Sequence, residues 1–278
     1  MPASSSPPVS RLQLGRELRR LRDAAGCSRD DAAAELECGT SKISKVETGK
    51  AALRAGEVKV LLDRYGVTER DDVLRLARDA RKRSAYRVPD WAKTFVGMEA
   101  DAAEIRTYEA ELVPGLLQTA EYARVVTRAA DPNRDPREVE RLVSARAERQ
   151  QRLSDDDPPL LWAIVSEAVI RRVVDGRDVM QRQLKHLVTV ASRPNVTIQV
   201  LPFAAGAHAA MGSSFVYLRL ADPPDAETVY LEDLTSSDYV NSPTHVAGYY
   251  EVFGMLAQTA LDPDKSAALI EQVSEDLP

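Results

Sequence analysis

Hydrophobic positions spaced three and four residues apart dominate the first part of the chain. From Ser10 to Gly26 this spacing predicts an amphipathic helix with leucines on one side and arginines on the other. The same spacing predicts four more short helices, at residues 29–37, 41–48, 55–65 and 71–85. Ser28 is placed to cap the second helix, and Gly39 separates it from the third. The pattern therefore indicates five short helices joined by tight turns.

The second part of the chain mixes the two periodicities. Helical spacing predicts that a helix runs from Trp91 through Tyr108, and it recurs at residues 119–126, 137–153, 179–192, 246–256 and 263–273. Continuous runs of apolar residues, or apolar residues that alternate with polar ones, predict strands at residues 160–165, 196–200, 214–220 and 228–231. The small residues of 204–213 fit neither period and predict a loop. The fold class is therefore α+β, in which an all-α domain precedes a mixed α+β domain with a small sheet.

The charge distribution divides the chain in the same way. The 278 residues carry a formal charge of −6, yet residues 1–87 hold 19 Lys+Arg against 13 Asp+Glu, while residues 88–278 hold 18 against 30. We predict a disordered tail at residues 1–9, a basic domain at 10–87 (the head) and an acidic domain at 88–278 (the body). Only the head has the charge to meet an anionic partner.

The helices of the head match the geometry of a helix-turn-helix domain. In such a domain the third helix enters the major groove of DNA with polar and basic side chains leading, because Ile43 and Val46 must face the core. Arg29, at the start of the second helix, is placed to touch phosphate or a base edge. The predicted DNA-binding residues are Arg29, Thr40, Ser41, Lys42, Ser44 and Lys45. The simpler alternative is a helical bundle with a solvated lysine face.

Two segments of the head also resemble a known family. Lys42-Ile-Ser-Lys-Val-Glu-Thr-Gly49 and Leu61-Leu-Asp-Arg-Tyr-Gly-Val67 are similar to the signature of phage-repressor (Xre or Cro/C1-type) regulators, and the resemblance covers residues 10–68. The head departs from that family in its second helix, where Arg29 and Ala32 stand at positions usually held by Gln and Leu.

The body resembles a group within that family. Val113-Pro-Gly-Leu-Leu-Gln-Thr119, Val200-Leu-Pro-Phe203 and Val229-Tyr-Leu-Glu232 are similar to segments of actinobacterial regulators that share an uncharacterised C-terminal domain. The resemblance implies a transcriptional regulator whose gene lies beside that of a small acidic partner protein. We therefore expect a sequence-specific regulator that binds double-stranded DNA, with a body that dimerises and senses a small partner protein or a ligand. A homodimer is expected because one head covers too few base pairs for tight specific binding.

The body holds few residues that suggest chemistry. His208, in the predicted loop, and Tyr230 and Glu232, on the last predicted strand, are candidate ligand-binding residues. The step from Tyr230 to Glu232 is weakly similar to ADP-ribosyltransferase-like folds, which makes Glu232 the catalytic residue and NAD the cofactor of an alternative function. A solvated carboxylate at a strand end is the commoner explanation, so the main interpretation has no enzyme activity, no cofactor and no catalytic residue.

Metal binding and export are not expected. The three histidines share no metal-ligand spacing, and Cys27 and Cys38 lack the further ligands of a zinc site. The first ten residues have neither a charged region nor an apolar region typical of a signal peptide, and the most apolar run, 160–165, is far too short to span a bilayer. These features predict a cytoplasmic protein with no membrane partner.

Overall fold

A computed structural model of the protein describes residues 7–82, 90–221, 226–233 and 236–278. They form two compact units. The first unit contains the described residues up to Asp101 together with Ala226, and the second contains residues 102–221 and the described residues from 227 onward. The predicted boundary between residues 87 and 88 lies outside the described residues.

The first unit is built from helices. Its helices are α1 (Pro7–Ala24), α2 (Arg29–Glu35), α3 (Thr40–Glu47), α4 (Ala55–Arg64), α5 (Asp71–Asp79) and α6 (Asp90–Ala100). Residues 1–6 of the predicted tail lie outside the described residues, whereas residues 7–9 form the first turn of α1. A proline suits that turn because its missing N–H would have no partner there, and Val9 is fully buried, so the apolar stripe begins before Ser10.

The core of the first unit is formed by the apolar positions that the helical spacing predicts to face inward. Leu14, Leu18, Ile43, Val46 and Leu61 are buried in one cluster. At Gly15 the two helices α1 and α3 approach closely, because a Cβ built on this residue lies 2.3 Å from the carbonyl oxygen of Val46. Only glycine allows this contact, which positions the end of α3 relative to α1.

The second unit is organised around a six-stranded mixed sheet. The strands are β1 (Ala102–Glu109), β2 (Leu160–Ser166), β3 (Val196–Leu201), β4 (Phe215–Leu220), β5 (Glu227–Glu232) and β6 (Ser237–Val240). They lie in the order β3-β2-β1-β4-β5-β6. β1, β2 and β3 are parallel, whereas β4, β5 and β6 follow with antiparallel pairing. The α+β fold class is therefore confirmed.

Helices cover the sheet of the second unit. They are α7 (Ala120–Ala130), α8 (Pro136–Gln150), α9 (Glu167–Arg171), α10 (Arg177–Ala191), α11 (Pro243–Thr259) and α12 (Pro263–Glu275). On one face, Val246 and Phe253 of α11 pack with Tyr108, Phe215 and Tyr217 of the sheet. α12 packs against β3 and α10. In the described part of the chain, no helix combines the length and the apolar character needed to cross a bilayer.

The central strand of the sheet was not predicted. The helix predicted through Tyr108 is wrong beyond Ala100, since residues 102–109 form β1 between β2 and β4. Both neighbours satisfy the hydrogen-bonding groups of this strand, and Ile105, Thr107 and Tyr108 are residue types that favour strands. The short strand β6 and the one-turn helix α9 also escaped prediction, because neither is long enough to show a period.

Candidate nucleic-acid interface

The turn before α2 is determined by local hydrogen bonds. Gly26 has a φ of +66° and ends the first helix, a conformation that favours glycine. The Ser28 hydroxyl then accepts a hydrogen bond from the backbone N–H of Asp31, and the Asp31 carboxylate accepts one from the backbone N–H of Ser28 at 2.7 Å. The Ser28 hydroxyl also donates to Oδ2 of Asp31 at 2.6 Å, and this bond, followed by the one from the backbone N–H of Ser28, holds the pKa of Asp31 below its usual value. The predicted cap at Ser28 is present, and it sets where α2 begins.

The third helix presents two distinct faces. Ile43 and Val46 are buried, as the helix-turn-helix interpretation requires. Of the predicted DNA-binding residues on this helix, Thr40, Ser41 and Lys45 are exposed, whereas Lys42 and Ser44 are half-buried. Thr40 already belongs to α3, one residue before the predicted start. The exposed face is therefore polar and carries the exposed lysine, Lys45.

An ion network joins α3 to the other two helices. The Glu47 carboxylate is almost completely buried, and it accepts hydrogen bonds from Nε of Arg22 at 2.5 Å and from Nε of Arg29 at 2.8 Å. Arg22 is itself buried, and its hydrogen bond to Glu47 raises its pKa. Arg29 has a side chain that is 40% exposed. Glu47 therefore anchors Arg29 through one nitrogen of a guanidinium whose outer part faces solvent.

Two further predicted residues are held by acidic partners. The Thr40 hydroxyl donates to Oδ1 of Asp30 at 2.7 Å, which ties the start of α3 to the start of α2. Nζ of Lys42 lies 2.6 Å from Oε1 of Glu57, and this contact lowers the pKa of Glu57. Lys42 therefore carries a partner of opposite charge on α4, which differs from the solvated lysine face of the alternative helical bundle.

The acidic residues Asp30, Glu47 and Glu57 were not among the predicted site residues. Each acidic residue lies on a different helix from the side chain that it holds, and the two are at least ten positions apart in sequence. Helical spacing relates residues three and four apart, and so it does not indicate such pairs. Together they fix the directions of Arg29, Thr40 and Lys42, which reduces the side-chain entropy that binding to an anion would otherwise cost.

The candidate ligand residues of the second unit lie at one end of the sheet but divide between its faces. The ring of His208 packs edge-on against Tyr108, with 5.6 Å between ring centroids and 3.4 Å between Nε2 and the hydroxyl. The Tyr230 hydroxyl donates to Glu232 at 3.0 Å, and burial together with Glu232 raises the pKa of Tyr230. Through Val216 of β4, Tyr230 lies in register with Thr107 of β1. Every second residue of a strand shares a face, so Glu232 lies on the face opposite Tyr108. His208 and Glu232 therefore belong to opposite faces.

Glu109 is a residue of this region that the sequence did not indicate, because it follows the segment predicted as a helix. It lies half-buried at the end of β1, where Thr107 donates to it at 3.4 Å. Burial, and then the charge of Glu232, raise the pKa of Glu109 to about 7. The two carboxylates are therefore coupled, and Glu109 changes its charge near neutral pH.

A metal site requires several ligating side chains close together. Within the described ranges, no three side chains of histidine, cysteine, aspartate or glutamate are grouped so that they could hold a metal ion. The NAD alternative, with Glu232 as its catalytic residue, stays a prediction: Glu232 pairs with a tyrosine hydroxyl and faces a second carboxylate.

Comparison with known protein families supports the division into two parts. Residues 13–76 match a family described as a helix-turn-helix domain. Residues 92–272, more than half of the chain, match a family described as a domain of unknown function (DUF5753). Neither a curated protein nor a solved structure matches the chain.

Proposed function

The chain belongs to the DUF5753 family and carries a helix-turn-helix domain before that region, and on this basis we propose that it is a sequence-specific transcriptional regulator of the Xre type. A helix-turn-helix domain implies DNA as a partner. The proposal adds that the contact reads a particular operator, through Arg29 and the leading residues of α3, and that the body transmits a signal to the head.

One observation carries this proposal: α3 is polar on its solvent face and apolar behind it. Thr40, Ser41 and Lys45 are exposed, while Ile43 and Val46 are buried. A helix in the major groove needs short polar and basic side chains that reach base edges, and it needs a core that holds it rigidly. A helical bundle shares this division of faces, and the match of residues 13–76 to a helix-turn-helix family is what connects it with DNA.

The proposal includes a homodimer. Helix-turn-helix regulators bind two half-sites about 34 Å apart, and a single head makes too few contacts for specific affinity at physiological salt. The second unit, which is acidic and larger than the head, is the part that we assign to dimerisation and to the sensing of a small partner protein or ligand. Because a regulator must reach the DNA that it binds, the proposal also assigns the protein to the cytoplasm.

The experiment that tests the proposal measures binding of the full chain to DNA fragments from upstream of its own gene. The variant Lys42→Ala/Lys45→Ala removes two charges from α3 and should weaken binding by at least about tenfold. The matched control, Lys185→Ala/Lys265→Ala, removes the same charge from exposed positions of the second unit and should leave binding unchanged. Equal affinities of the two variants would contradict DNA recognition by α3.

A further inference from the structure

Exposed apolar side chains of the second unit concentrate at one end of the sheet. The parallel strands β1, β2 and β3 all end there, and the loops that follow them carry Leu112, Val173, Phe203 and Met211. Each of these side chains is exposed, and Phe203 and Met211 are 61% and 68% exposed. We call the residues 109–114, 166–176, 202–214 and 232–233 the carboxyl-end surface. Apolar residues gathered on one exposed surface are typical of an interaction site.

The loops of this surface are fixed to one another. The Glu167 carboxylate accepts a hydrogen bond from the backbone N–H of Phe203 at 2.7 Å, and Arg172 pairs with Glu111 across two loops. The His208 ring packs on Tyr108, and Ser214 accepts a hydrogen bond from the backbone N–H of Ala110 at 3.1 Å. Phe203 and Met211 therefore project from an ordered backbone, so binding to them costs little conformational entropy.

The charge of the carboxyl-end surface selects the kind of partner. Its ranges contain six acidic residues and two basic ones: Glu109, Glu111, Glu167, Asp175, Glu232 and Asp233 against Arg171 and Arg172. Both arginines already contact glutamates of the same surface. The surface is therefore apolar with an excess of carboxylates, which repels nucleic acid and also a second copy of itself.

We propose that the carboxyl-end surface docks a polypeptide segment that combines apolar and basic side chains, with Phe203 and Met211 as its apolar anchors. The apolar side chains of the segment cover these anchors, and its lysines or arginines approach Glu232 and the neighbouring carboxylates. This inference is independent of the DNA contact. It also specifies the chemistry of any protein partner: even a partner that is acidic overall must present a locally basic segment here.

The test uses the full chain and a displayed library of random peptides, from which binders are selected and then synthesised with a fluorescent label. The selected sequences should combine basic residues with aromatic or aliphatic ones. Fluorescence anisotropy should show that Phe203→Ser/Met211→Ser weakens their binding by at least about tenfold. Because both side chains are exposed, this variant should unfold at the same temperature as the wild type.

The matched control is Leu160→Ser/Met255→Ser, which removes two apolar side chains that are 55% and 56% exposed but lie outside the carboxyl-end surface. It should bind the peptides like the wild type. Three results would overturn the proposal: selection of no peptides or of acidic ones, equal loss in both double variants, or conversion of a dimer to a monomer by Phe203→Ser/Met211→Ser in sedimentation. The last result would assign the surface to self-association. DNA binding, measured on the same samples, should be unaffected.

Discussion

Arg22 and Glu47 lie 25 positions apart in sequence, yet their side chains form a buried ion pair with 2.5 Å between Nε and Oε1. The same carboxylate holds Arg29, so one glutamate joins α1, α2 and α3. Because both partners are shielded from water, removal of Glu47 leaves the buried Arg22 with the solvent-exposed Asp23, at 2.7 Å, as its counter-charge. The geometry of the helix-turn-helix domain therefore depends on Glu47.

Replacement of Glu47 by glutamine should lower the free energy of unfolding of the first unit by about 3 kcal/mol, since Arg22 loses its buried counter-charge and keeps the solvent-exposed Asp23. Affinity for DNA should also decrease at temperatures below the midpoint of unfolding, where the variant is still folded, because Arg29 loses its anchor. Calorimetry and anisotropy with labelled DNA measure the two effects. Glu35→Gln is the control, since Glu35 forms only a solvent-exposed pair with Arg64 at 3.8 Å and should change stability by less than about 0.5 kcal/mol. Similar losses in both variants would contradict the role assigned to Glu47.

Replacement of Gly15 by alanine should destabilise the first unit by about 1–3 kcal/mol, because the added Cβ would meet the carbonyl oxygen of Val46 at 2.3 Å. α1 and α3 would have to separate. Gly56→Ala provides a control of opposite sign, since a Cβ there meets no atom within 4 Å and alanine favours the helical backbone by about 0.5 kcal/mol. Hydrogen exchange along α1 and α3 reports the change locally. Unaltered protection in Gly15→Ala would contradict the prediction, because it would show that α1 and α3 accommodate the added Cβ at little cost in free energy.

Binding to DNA should weaken steeply with salt. For a dimer that makes about six phosphate contacts, the logarithm of the association constant should fall with the logarithm of salt concentration with a slope near −5. Lys45→Ala should reduce the magnitude of this slope by about 1 for each phosphate contact that it removes, and weaken all sequences evenly, if Lys45 binds phosphate. A changed base preference with an unaltered slope would instead assign Lys45 to a base edge. Titrations at four salt concentrations distinguish these outcomes.

The stability of the second unit should fall as the pH rises through neutrality. The pKa of Glu109 is about 7 in the folded protein and near its ordinary value of 4.5 in the unfolded chain. The carboxyl is protonated in both states below the lower value, so no penalty applies there. Above the higher value the fold must hold a charged Glu109 beside Glu232, which removes stability.

Glu109→Gln should abolish most of this loss, which we expect to be about 1–2 kcal/mol between pH 5 and 8 because water reaches the half-buried group. Urea unfolding at several pH values measures it. Glu251→Gln, on the exposed side of α11, is the control and should keep the wild-type pH dependence. A wild-type stability that is constant or increases over this range would contradict the coupling of Glu109 with Glu232.

Much of the first unit was predictable because its determinants are local. Leucines at helical spacing, the Ser28 cap and the glycine at residue 26 each act within a few residues, and their predicted helices are present. The polar face of α3 followed from the burial of Ile43 and Val46. The partners Asp30, Glu47 and Glu57 did not, since they depend on how the helices pack.

The second unit was less predictable because its sheet depends on distant pairings. β1 resembles a helix when its hydrophobic spacing is considered alone, and it becomes a strand because β2 and β4, more than 50 positions away, satisfy its backbone. The coupling of Glu109 with Glu232 follows from this pairing. Sequence separation thus explains which features of both the fold and the candidate sites escaped prediction.

The strand order has a consequence for synthesis on the ribosome. β1 is made first among the strands and lies in the middle of the sheet, whereas α12, made last, packs on β3 through a hydrogen bond from the backbone N–H of Val200 to Ser266. The helices of the first unit pack on one another within residues 7–100 and can form while the remaining chain is still being translated. The sheet must wait until residue 266 has emerged. We therefore expect a period during synthesis in which the helix-turn-helix domain is folded while the unit proposed to control it is not.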